Sequence, residues 1–311
     1  MDYVTFFFVL CILTFLYVIT INSSRRKSCN TARLPPGSYP LPVIGNIFEL
    51  GKEPHNSLAS LSKTYGPLMS LKLGSIITIV VSSPKIAKEI LLHHDLSFSS
   101  RSIPDAGRMI NHHLFSMVWL PVGDKWRRLR RISKEHLFSL QQLDAGKLPR
   151  SEKIKKLLDH VHECSINNKP INIGRAAFTT SLNVLSNFIF STDMARYESF
   201  ESQEFEDAIC ALADIVGKPN LADFFPLLKQ FDPQGLIRKG NVYAVKLMNI
   251  LGSIVDERVQ VRAKSSVGLS STSHDVLDLL LDLNLKNESE LSRNDILHML
   301  LVISMFFLSL P

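Results

Sequence analysis

The hydrophobic pattern opens with an unbroken run. Tyr3 to Ile21 contains no charged residue and is rich in Phe, Leu, Ile and Val, long enough as a helix to cross about 30 Å of hydrocarbon. A cleaved signal peptide is the rival reading. Against it, the basic residues Arg25, Arg26 and Lys27 come after the run, and Asn22-Ser23-Ser24-Arg25 offers no small-x-small cleavage site. The run therefore reads as a single transmembrane helix, and the positive-inside rule places the remainder of the chain in the cytoplasm. Leu34 to Pro42 then packs four prolines into nine residues, which stops a helix from continuing out of the membrane.

Periodic patterns take over beyond this hinge. Pro54 to Tyr65 is a predicted helix with Leu58, Leu61 and Tyr65 on one side and Gly66-Pro67 as its stop. Leu68 to Leu73 and Ile76 to Val81 flank Gly74-Ser75 as a β-hairpin. Ser83 caps a helix beginning at Pro84, with Ile86, Ile90 and Leu91 as its buried stripe. Between Phe98 and Leu120 periodicity fails, leaving an apolar loop with few charges of the kind that walls a pocket. Asp124 is a candidate N-cap for a short arginine-rich helix ending near Ile132. Leu148 to Asn167 is amphipathic, with Ile154, Leu157, Leu158 and Val161 expected inward, and Phe178 to Phe190 is apolar nearly all round, as a central helix is. Phe205 to Val216 and Pro233 to Lys264 are helices joined by a loop, Ser265 to Ser273 is a Ser-rich linker, and Asp275 to Leu283 and Ser292 to Leu310 close the set, the last opened by a Ser292–Asp295 capping box. The fold class is mainly α with a small β-hairpin sheet, preceded by one transmembrane helix. The expected divisions are an anchor over 1–24, a basic and proline-rich hinge over 25–46, and a helical domain over 47–311.

The formal charge of +6 is concentrated at Arg25 to Lys27, Lys125 to Arg131 and Lys147 to Lys156, which suits an acidic partner or an anionic membrane surface. Nucleic acid is excluded as a target, because no reading motif is present and the anchor keeps the chain from nuclear sites. Cys11, Cys29, Cys164 and Cys210 are far apart and form no Cys-x-x-Cys pair, so reduced thiols are expected rather than a disulfide framework or a zinc site. His160 and His162 stand two apart on a helix and diverge by about 200°, so they cannot share one ion. His112-His113 reads as a hydrogen-bonded loop pair, since no carboxylate or cysteine nearby completes a metal site.

Four stretches in order, LPPGSYPLPVIGN (Leu34 to Asn46), FSSRSIPDAGRMINHHLFSMVWLP (Phe98 to Pro121), WRRLR (Trp126 to Arg130) and GKPNLADFFPLLKQFDPQG (Gly217 to Gly235), resemble a plant microsomal cytochrome P450, a haem-thiolate monooxygenase. NHHLFSMVWLPVG (Asn111 to Gly123) and the fourth stretch resemble the subgroup that includes geraniol 8-hydroxylase. Ser38 and Tyr39 depart from the family's Pro-Pro-Gly-Pro pattern, so a softer hinge is expected. The resemblance implies that Trp126 and Arg130 donate to the haem propionates, a task suited to an indole N–H and a guanidinium fork, with Arg101 a third propionate ligand. It also implies that Ile110, His113, Leu114, Phe115 and Val118 contact substrate, and that Phe224, Phe225, Leu227 and Leu228 touch the membrane or pack beneath their loop. Arg127, Arg128 and Arg131 would contribute to docking an NADPH-dependent flavoprotein reductase.

Two parts of the family pattern are missing. No cysteine sits in a Phe-x-x-Gly-x-Arg-x-Cys-x-Gly loop, and the Ala-Gly-x-x-Thr expected near residue 303 is replaced by LVISMFFLSLP. The expectation is an incomplete P450 fold, in the endoplasmic reticulum membrane with its bulk cytosolic, related to enzymes that insert oxygen into small lipophilic substrates such as a monoterpenoid alcohol. This chain by itself is expected to be inactive, with Phe178 to Phe190 and Met299 to Leu310 short of packing partners and the domain loose. The alternative is a catalytically dead, membrane-anchored helical protein that binds a partner or lipid.

Overall fold

A computed structural model describes residues 34–195, 200–265, 275–286 and 291–308, with isolated positions 7, 10 and 12–14. The basic stop at Arg25 to Lys27, Cys11, Cys29, nearly all of the expected anchor and nearly all of the Ser-rich linker lie outside the described residues. Among those described, no helix is long and apolar enough to cross a membrane, so the transmembrane helix predicted over 3–21 receives no support here.

The chain divides into two compact units, residues 1–98 with 224–228, and residues 99–223 with 229–311. In the first, α1 (Pro54–Tyr65) precedes an antiparallel hairpin of β1 (Leu68–Leu73) and β2 (Ile76–Val81), paired from Leu68↔Val81 to Leu73↔Ile76. The proline-rich segment is laid along β1. The Ser70 N–H donates to the Pro36 carbonyl at 2.9 Å and Ser70 Oγ to that of Pro35 at 2.7 Å. Buried Asn46 donates its N–H to Lys72 O at 2.6 Å and accepts the Lys72 N–H at 2.9 Å. Gly45 makes this possible: its φ is +71°, and a Cβ there would meet the Lys72 carbonyl oxygen at 1.9 Å. Ser38, a departure from the family pattern, donates to the Glu49 carboxylate at 2.6 Å, so the hinge is tied down where softness was expected. Helix α2 (Pro84–Lys88) runs into a π-helical turn at Glu89–His93. The extra residue in that turn rotates the stripe, and Leu91, expected inward, is 69% exposed.

The second unit holds α3 (Asp124–Ile132), α4 (Lys147–Ile166), α5 (Ile173–Phe190), α6 (Phe200–Gly217), α7 (Leu236–Ser265), α8 (Val276–Lys286) and α9 (Arg293–Leu308). Asp124 is the first residue of α3, not its cap; Gly123 holds the cap position without a side-chain bond. The capping box of α9 is present, with the Ser292 N–H donating to Asp295 Oδ2 at 3.1 Å and the Asp295 N–H to Ser292 Oγ at 3.2 Å. Ile209, Leu247, Leu251, Leu277, Leu280, Leu291, Ile296 and Leu300 are fully buried at the centre. Helix α5 is the predicted central helix. Over the described residues neither it nor α9 lacks packing partners: Ile296 to Leu301 and Ile303 to Ser304 are all buried.

A buried ion network fastens α7 to α8. Arg258 Nη1 donates to Asp275 Oδ2 at 2.8 Å and Asp278 Oδ2 at 2.9 Å, while Nη2 donates to the Phe190 carbonyl of α5 at 2.6 Å. Helix α4 is turned differently from its apolar pattern. Ile154, Leu158 and Val161 are exposed, whereas Lys153 and Cys164 are buried. The reason is an ion pair of Lys153 with Asp193, just past the end of α5, which directs the Lys153 face inward.

Candidate functional site

The loop that lost its periodicity is a kinked 3-10 segment, Asp105–Leu114, in which Ile110 and Asn111 take left-handed dihedrals (φ +48° and +57°). For a β-branched residue such as Ile110 this conformation is costly, by about 1–3 kcal/mol, and persists only when its surroundings hold it. They do so through Met109, buried against Gly240 of α7, where a Cβ would lie 2.3 Å from the Met109 sulfur. At the loop's start, the Asp105 N–H donates to Asp223 Oδ1 at 2.7 Å and Lys229 pairs with the Asp105 carboxylate at 2.8 Å.

The kink encloses an apolar cavity of about 290 Å3 between the loop and helices α6, α7 and α9. Ile110, Val118, Leu212, Val216, Leu301 and Met305 are among its walls. A second slot, of about 280 Å3, lies between α3 and α9, lined by Phe115, Leu129, Ser133, Met299, Val302 and Ile303 among others. Val118 and Val302 line both.

A polar cluster stands where loop and α9 meet. His112 Nδ1 and His298 Nδ1 are 2.7 Å apart, Phe115 is stacked on the His298 ring at 5.0 Å and 7°, and the Lys125 ammonium lies 4.5 Å from the Phe115 ring centre. Burial first, then the neighbouring imidazoles of His298 and His113, pushes His112 down to about 3. Burial likewise lowers His298, to about 4, with the Asp295 carboxylate opposing and Lys125 assisting. Both rings are thus neutral near pH 7.

The residues singled out in the sequence are placed unevenly. Ile110 and Val118 line the apolar cavity beneath the loop, and Val118 and Phe115 line the slot. His113 and Leu114 line neither; Leu114 is 51% exposed and His113 has a buried Nδ1 without a partner. The left-handed pair at Ile110-Asn111 turns His112 inward instead, and its partner is His298, not the adjacent His113. Periodicity could not reveal the pair, because its members are distant in the chain. The available signal was a lone histidine within the apolar α9 sequence, a polar group that needs a partner when buried.

Trp126 donates its indole N–H to the Met117 carbonyl at 3.1 Å, and the Arg130 guanidinium lies 5.2 Å from the Trp126 ring centre. Arg130 and Arg101 are exposed, as are Arg127 and Arg131. Arg128 is half-buried, with a buried Nε that has no partner. The slot's walls are apolar, as a flat apolar cofactor such as haem requires, but neither Arg130, whose guanidinium packs over the Trp126 ring, nor Trp126 lines it. Trp126 could meet a propionate only by exchanging its bond to Met117. Neither described cysteine lines the slot: Cys164 is buried beside His160, and Cys210 is exposed on α6. No group of three metal-ligating side chains occurs among the described residues.

The sequence profile of the cytochrome P450 family matches residues 35–307. A cytochrome P450 76T24 from Catharanthus roseus is 50% identical over 279 residues, covering 90% of this chain and 55% of the relative. Geraniol 8-hydroxylase from the same plant is 43% identical over 302 residues, covering 97% and 59% respectively. An inactive cytochrome P450 76AD1 from Beta vulgaris is 46% identical over 270 residues, covering 87% and 64%. The chain thus spans little more than half the length of these relatives.

Proposed function

This chain belongs to the cytochrome P450 family, whose cofactor is haem, and on that premise we propose that it carries the substrate cavity of a monooxygenase acting on small lipophilic molecules, monoterpenoid alcohols such as geraniol among them. The observation that carries this reading is the cavity beneath the kinked loop. Its walls are almost wholly apolar, and about 290 Å3 is just below the roughly 300–1,000 Å3 typical of ligand pockets, which suits a small guest. Ile110 and Val118 are its substrate contacts, and His112 replaces His113 in that role.

Haem, when bound, supplies the oxygen chemistry. Arg130 would hold a propionate, with Trp126 beside it, and exposed Arg101 is the weaker third candidate. Exposed Arg127 and Arg131 would meet a flavoprotein reductase. The run over 3–21 anchors the chain in the endoplasmic reticulum membrane with its bulk on the cytosolic side. A second reading, a membrane-bound protein that binds lipid or a partner without catalysis, is favoured by the exposed apolar row of Ile154, Leu158 and Ile166.

The test is ligand binding monitored by tryptophan fluorescence, because Trp119 lines the cavity. Geraniol should change the emission saturably, and Ala213→Trp, which fills the cavity, should abolish the binding. Unchanged binding by Ala213→Trp would remove the cavity from the function.

A further inference from the structure

We propose that His112 is a specificity-determining residue of this cavity, hydrogen-bonding through Nε2 to the hydroxyl of an otherwise apolar ligand, and that His298 is the positioning residue that sets its tautomer. The proposal rests on reading the cavity as the substrate site.

Its basis is the separation of 2.7 Å between the two Nδ1 atoms. Two bare ring nitrogens cannot approach so closely, so one ring must donate an N–H and the other accept it. If His112 carries the Nδ1 proton, its Nε2 is a bare acceptor. If His298 carries it, His112 is the other tautomer and its Nε2 is a donor. Either way Nδ1 is consumed by the pair, and Nε2 is the only polar ring atom that His112 has left for the cavity it lines. The remaining wall offers no other side-chain oxygen or nitrogen able to accept a hydrogen bond, since the Trp119 indole is a donor only and the Met109 and Met305 thioethers accept weakly.

An alcohol suits this arrangement in both states, because its oxygen accepts from Nε2–H and its O–H donates to bare Nε2. An ether or carbonyl suits only the donor state. A hydrocarbon leaves Nε2 without a partner in an apolar chamber, which costs binding. The ring is held for this task from several sides: His298 is 3% exposed on α9, Phe115 stacks on it, and Asp295 one turn earlier is paired with Lys125 at 2.7 Å.

The test uses the 311-residue chain, with geraniol and the hydrocarbon that lacks its hydroxyl as probes. The wild type should bind the alcohol about tenfold more tightly than the hydrocarbon, equivalent to about 1.4 kcal/mol. His112→Phe should bring that ratio to about one, with hydrocarbon affinity rising because no ring nitrogen is left stranded, and His112→Gln should retain it. His298→Phe should lower the ratio and move the His112 side-chain nitrogen resonances towards a tautomer average, which a merely structural role would not do. An unchanged ratio in His112→Phe would overturn the assignment while leaving the substrate cavity intact. Failure of both probes to bind the wild type would overturn the cavity reading itself, and this proposal with it. Should His112→Phe not fold, the wild type still decides: its His112 Nε2 resonance must move on adding geraniol and stay in place with the hydrocarbon, and any other result refutes the hydrogen bond.

Discussion

Lys125 Nζ lies 2.7 Å from Asp295 Oδ1, tying the first turn of α3 to the first turn of α9. The same carboxylate closes the capping box with Ser292. Asp295→Ala removes both, and with a cap worth about 1 kcal/mol and a partly buried pair besides, the loss of stability should be about 2 kcal/mol. A urea midpoint within error of wild type would show that neither contact persists in solution.

Acid should destabilise the chain through its histidine pair. His112 is held at about 3 and His298 at about 4, below the ordinary value of 6.5. Both folded-state values are depressed, so their contribution is fully present above about pH 6.5 and is lost as pH falls through about 4 and then about 3. Between about pH 6.5 and about pH 4 the unfolded chain takes up as many as about two more protons than the folded chain. Urea midpoints measured from about pH 7 to about pH 4 should fall more steeply for wild type than for the His112→Phe/His298→Phe variant. Equal slopes would count against the buried pair.

Arg258 stands between two buried carboxylates, so Arg258→Ala strands both Asp275 and Asp278. Removing one partner of such a buried set costs about 3–5 kcal/mol, and the expected outcome is loss of cooperative unfolding or a large drop in midpoint. Exposed Arg127, which pairs with Asp124 at 3.5 Å, should give a change below about 0.5 kcal/mol as Arg127→Ala.

The expressed chain should show no thiolate-type Soret band in a reduced, carbon monoxide difference spectrum. Thiolate ligation needs a deprotonated cysteine. Partial burial and the Glu206 and Asp207 carboxylates push the Cys210 thiol up, and Cys164 is turned into the α4 interface. A clear band at the thiolate position would mean that one of Cys29, Cys164 or Cys210 reaches the iron.

Most element positions were legible because they rest on local chemistry. The hairpin around Gly74-Ser75, the stop at Gly66 and the α9 capping box each depend on residues within one turn of each other. The side chosen by a helix was less legible. For α4, the apolar row through Ile154 and Leu158 reads as the inward face, yet a single carboxylate, Asp193, draws Lys153 to the interior instead. The site suffered in the same way. Ile110, Phe115 and Val118 could be picked out from an apolar loop, whereas the substitution of His112 for His113 depends on two left-handed residues and on a histidine nearly two hundred positions away. Long-range pairing of this kind leaves no periodic trace.

Val118 and Val302 line both chambers, so the partition between them is in places a single side chain thick. Valine and alanine codons differ by one base, and either replacement would open a window between the chambers. Lineages descending from this sequence could therefore change the reach and orientation of a guest in single mutational steps, without disturbing the helices that frame it. A thin, aliphatic and easily rewritten bulkhead makes chemical diversification inexpensive for such a scaffold.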